Sequence, residues 1–79
     1  MSLTADRLIL FLRDALRVEG EVTPESALFT SGALDSVAMM NLIAFVEEQA
    51  AIQVRADQVT LENFDTPGRI VAFANAAAA

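Results

Sequence analysis

SVAMMNLIAFVEEQAA, Ser36 to Ala51, decides how the rest of this 79-residue chain must be arranged. Between Val37 and Val46 only Asn41 is not apolar, which predicts a helix from about Ser36 to Gln49 or Ala51. One helix in so small a protein cannot bury its whole circumference. Met39, Leu42, Ile43 and Val46 form one stripe at i, i+3, i+4, i+7, the side expected to meet the core. Val37, Met40, Asn41, Ala44, Glu47 and Glu48 form the opposite stripe. That stripe ends in acids, so it is expected to face water or a partner, because exposed apolar residues rimmed by charge mark interaction surfaces.

Upstream, from Leu3 to Val18, the apolar residues Leu8, Phe11, Leu12, Ala15 and Leu16 recur at spacings of three and four, and Arg7, Asp14 and Arg17 share another face with Leu10. This predicts a first helix ending near Val18 or Glu19, with Gly20 placed for a left-handed cap and Thr23-Pro24 opposing continuation. The 17 residues from Glu19 to Asp35 are a long connection for so small a domain. Val22, Leu28, Phe29 and Leu34 recur along it, so it is expected to be ordered and to lie across the bundle.

Downstream, Ile52-Gln53-Val54 alternates like a strand but has no second run to pair with, and is read as a connection. Thr60 to Phe64 has room for about one turn of helix. Asp65-Thr66-Pro67 offers an N-cap followed by Pro at the first helical position, predicting a last helix from Pro67 to about Asn75 that buries Ile70, Val71, Phe73 and Ala74. Ala76 to Ala79 has nothing to bury and is expected to fray. The fold predicted is all-α: a small antiparallel four-helix bundle with three main helices, one short third helix and a long first loop, in a single domain over residues 1–79.

Composition narrows the function. The chain has no Cys, His, Lys, Tyr or Trp, so disulfides are excluded and a zinc site lacks its usual ligands. A small hydrolase using Ser36 as nucleophile would have no histidine or lysine base. No enzyme activity and no metal site are therefore expected. A net charge of −6 is the wrong sign for binding phosphates or anionic lipid, so neither nucleic acid nor a membrane is an expected partner. The uncharged stretches Ser26 to Leu34 and Ser36 to Val46 fall short of the roughly 20 residues of a membrane span. Asp6, Arg7, Arg13 and Asp14 interrupt the only apolar run near the start, so no signal peptide is read and the cytoplasm is the expected location.

The long loop delivers a serine to the start of the apolar helix: Gly32-Ala33-Leu34-Asp35-Ser36-Val37. Ser36 has two physical meanings there. Its hydroxyl could cap the helix, or it could carry a phosphate group, which would meet unpaired N–H donors and the positive end of the helix dipole. This segment resembles the phosphopantetheine attachment motif of acyl and peptidyl carrier proteins. The likeness extends over nearly the whole chain, through the second helix closing in Glu47-Glu48 and the late Phe64-Asp65-Thr66-Pro67.

The resemblance implies that a phosphopantetheinyl transferase moves 4′-phosphopantetheine from coenzyme A onto Ser36, and that Asp35 helps place the magnesium ion of that modification or else supports the helix start. The terminal thiol of the arm then holds an acyl or aminoacyl group as a thioester. Partner enzymes, namely a loading ligase and an acyltransferase or synthase, would read Val37, Met40, Asn41, Ala44, Glu47 and Glu48. Met39, Leu42, Ile43 and Val46 would line the core and any cargo groove. Carriers of general fatty-acid synthesis usually have acids early in the second helix, where this chain has Ala38 and Asn41, and Val37 stands where leucine is commoner. With Phe-Asp-Thr-Pro downstream, the chain is more similar to stand-alone aminoacyl and specialised-pathway carriers, acting as a monomer. The competing reading is an unmodified helical interaction module that kept the carrier fold.

Overall fold

The computed structural model describes residues 3–78. Its helices are α1 (Ala5–Asp14), α2 (Ser36–Ala50), α3 (Leu61–Phe64) and α4 (Pro67–Ala78), and no strand occurs among the described residues. This is the expected helical bundle with its short third helix and long first loop. Side-chain oxygens open every helix: Thr4 accepts from the Arg7 N–H, Asp35 from Ala38, Thr60 from Asn63 and Thr66 from Arg69.

The core takes Leu8 and Leu12 from α1, Leu42 and Val46 from α2, Phe64 from α3, and Ile70 and Ala74 from α4. Val71 and Phe73 of α4 are only half-buried. α4 packs against all three other helices, whereas the rings of Phe11 and Phe45 bridge α1 and α2, stacked with centroids 4.0 Å apart. Leu28 and Leu34 of the long loop are buried in the same core, with Val22 and Phe29 packed against it, as the spacing of those anchors predicts. Ile52 to Val54 forms the expected connection.

Three points depart from the sequence reading. α1 ends at Asp14 rather than near Val18. Arg17 takes the left-handed conformation (φ 59°), and the Leu16 and Val18 N–H groups reach back to the Phe11 and Leu12 carbonyls. Turning there lets Leu16 and Val18 pack onto the core; Gly20 is also left-handed, but lies beyond the turn that stops the helix. A 3-10 turn at Ala56–Gln58 was not expected; the Gln58 side chain accepts from the Arg55 N–H and closes it.

Within Asp65-Thr66-Pro67 the expected N-cap acceptor is Thr66, while the Asp65 carboxylate turns toward the long loop. α4 also continues past Asn75 to Ala78 instead of fraying at Ala76. The Asn75 side chain accepts from the Leu3 N–H and donates to the Leu3 carbonyl, anchoring that turn, and alanine is the best helix former. Ala79 lies outside the described residues.

Candidate functional site

The segment before α2 is built to hold a defined shape. Leu28 and Leu34 are its buried anchors, and the Leu34 N–H donates to the Leu28 carbonyl at 3.0 Å. Between them Gly32 sits at φ 81°, a conformation open to glycine without strain, and its N–H donates to the Phe29 carbonyl. The Ser31 hydroxyl donates to the Ala27 carbonyl. Two residues after Leu34 comes Ser36, the first residue of α2.

Of the two meanings open to Ser36, the cap falls to its neighbour. Asp35 has the extended backbone of an N-cap (φ −106°, ψ −173°), and its Oδ1 accepts from the Ala38 N–H at 2.9 Å. Ser36 already lies inside the helix, where a hydroxyl cannot reach the same donor, and its side chain is exposed.

Along α2 the exposed stripe is largely the one the spacing predicts. Met40 is 72% exposed and Val37 68%, high for side chains of this apolarity, and Asn41, Ala44 and Glu48 are exposed beside them. Glu47 differs: it is half-buried, and its Oε2 accepts from the Val54 N–H at 2.8 Å, tying down the connection after α2. Of the opposite stripe, Leu42 and Val46 are fully buried and Met39 and Ile43 half-buried. Two open grooves lie elsewhere, between α1 and α2 around Leu10, Phe11, Ala44 and Phe45, and none of Met39, Leu42, Ile43 and Val46 lines either one.

Asp65 has a role that sequence reasoning missed. Its Oδ1 accepts from the Phe29 and Thr30 N–H groups, both at 3.0 Å, and its Oδ2 from the Thr30 hydroxyl at 2.9 Å. Its backbone carbonyl also accepts from the Leu28 N–H. The Thr30 N–H is the main cause that holds the Asp65 carboxyl below the ordinary carboxylate value, against the opposing effect of burial; the Phe29 N–H, the Thr30 hydroxyl and Arg69 add to the lowering. No local pattern signals this role, since the partners lie 35 and 36 residues away.

Residues 6–74 match the family described as "Phosphopantetheine attachment site". The chain belongs to this family of acyl and peptidyl carrier proteins. Among curated proteins no significant match is found. The matched span takes in all of α2 and α3 and most of α1 and α4. A carrier domain of this family is the site at which 4′-phosphopantetheine is covalently attached; it carries groups and does not transform them.

The start of α2 fits such a group. An exposed hydroxyl stands on the first turn, where unpaired N–H groups and the helix dipole favour a phosphodiester. No helix among the described residues is long and apolar enough to cross a membrane.

Proposed function

We propose that Ser36 is the attachment residue of this carrier, and that it shuttles acyl or aminoacyl groups between enzymes of a specialised biosynthetic pathway in the cytoplasm. The observation that carries this reading is the pairing at the head of α2: Asp35 takes the capping bond, and the next residue presents an exposed hydroxyl. In the modification the Ser36 Oγ forms a new O–P bond. The diphosphate bond of coenzyme A breaks, adenosine 3′,5′-bisphosphate leaves, and the serine proton passes to a base of the transferase. Asp35 keeps one carboxylate oxygen outside the capping bond, available to a magnesium ion shared with the transferase. Once attached, the arm supplies a thiol on which cargo is held as a thioester, a chemistry the chain lacks because it has no Cys.

The exposed apolar residues Val37 and Met40, with Asn41, Ala44 and Glu48, form the surface we assign to a phosphopantetheinyl transferase, a loading ligase and an acyltransferase or synthase. Glu47 contributes its charge there while serving the fold. The specialised pathway is favoured by the apolar first half of this face, where Asn41 is exposed and no acid stands before Glu47.

Intact mass spectrometry tests the assignment. Incubated with coenzyme A, magnesium and a broad-specificity phosphopantetheinyl transferase, the wild type should gain one phosphopantetheine increment and Ser36→Ala none. Absence of the increment from folded wild type with several transferases would instead favour an unmodified interaction module.

A further inference from the structure

The long loop is fastened to the bundle at one short segment, residues 65–68. The Pro24 carbonyl accepts from the Gly68 N–H at 2.8 Å, and a methyl group at Gly68 would stand only 3.0 Å from that oxygen. Four residues on, the Asp65 backbone carbonyl takes the Leu28 N–H, and its carboxylate takes both N–H groups of Phe29 and Thr30 together with the Thr30 hydroxyl. Leu28 is in turn the residue whose carbonyl receives the Leu34 N–H, and Leu34 stands two residues before Ser36. One carboxylate therefore fixes the backbone that presents the serine, without touching the serine.

We propose that Asp65 is a positioning residue for the modification of Ser36: it holds Leu28 to Thr30 in the one arrangement that sets the Ser36 hydroxyl for transfer. The inference rests on Ser36 being the attachment residue. Met40, Ala44 and Glu48 of the outer face lie beyond the first turn of α2, so loss of Asp65 should leave most of the docking surface intact and misplace the reacting hydroxyl. Misplacement of a reacting atom is costly in rate even when binding is unchanged.

The test is the steady-state rate of transfer from coenzyme A to full-length carrier, with kcat and KM for the carrier measured separately, and with amide hydrogen exchange at Phe29 to Ala38 recorded in parallel. Asp65→Ala should lower kcat about tenfold with KM within about twofold, and should exchange faster at Phe29 and Thr30 and at the first turn of α2. Asp65→Asn keeps an oxygen for the two N–H donors and should recover most of the rate. Thr30→Val removes only the hydroxyl bond and should cost about threefold.

Asn75→Ala breaks the two bonds to Leu3 at the far end of α4, loses stability without touching the loop, and should transfer as the wild type does. Wild-type kcat in folded Asp65→Ala, an equal loss in Asn75→Ala, or no recovery in Asp65→Asn would each overturn the proposal. If Asp65→Ala does not fold, Thr30→Val decides, and an unchanged kcat there would overturn it. A wild type that is never modified would sink the attachment reading itself, a result separate from wild-type and Asp65 variants being modified equally fast.

Discussion

At the scale of single residues, Asp65 and Glu47 do the same job at different places: each buries or half-buries a carboxylate and uses it to hold a backbone N–H from a connection. For Asp65 the consequence is a pH dependence with a definite sign. Its native pKa lies below the ordinary carboxylate value, so the stabilisation is fully present above that value and is lost as pH falls through the lower, native one. Urea midpoints measured from neutral to strongly acidic pH should therefore drop on the acid side. Asp65→Asn should show a shallower drop, and the difference between the two curves isolates this carboxyl from the other ten acids. An identical pH profile in the two proteins would refute it. Such residues are where the sequence was least legible. Asp65-Thr66-Pro67 reads as a local helix start, which says nothing of the donors to Asp65, remote along the chain; Asp35 and Ser36 are adjacent, and backbone conformation decides which of them caps.

Among the elements, α2 was legible almost to the residue, because a run of apolar residues with two distinct stripes has one stable placement in a small bundle. It closes at Ala51, which takes the left-handed conformation (φ 56°) usually left to Gly or Asn, a choice that composition does not announce. α1 was harder. Its apolar spacing continues through Leu16 and Val18, but those side chains reach the core better from a turned backbone than from a continued helix. The outer face of α2 carries the next prediction. Met40 is largely exposed and packs on little, so Met40→Glu should leave helical circular dichroism and thermal stability near wild type while slowing transfer from the cognate loading enzyme several-fold. Loss of the helical signal would show that Met40 supports the fold instead.

Across the whole molecule, the helix order, the ordered loop and the shared core follow from apolar spacing, whereas the fastenings between distant segments do not. A domain of this size holds only a few kcal/mol in reserve. Leu42 is fully buried at the centre, and Leu42→Ala should cost about 2–5 kcal/mol. In a calorimeter that lowers the midpoint by at least about 8 °C; a shift of only a degree or two would mean that the core is looser than its burial implies. The bonds between Leu3 and Asn75 close a span of 72 residues at a single point. Mechanically the stretch from Leu3 to Asn75 is thus nearly a ring with a two-bond clasp. Tension applied across Leu3 and Asn75 would load the clasp before it stretched any helix, and a tug on one side would pass to the other along the shortest stiff path.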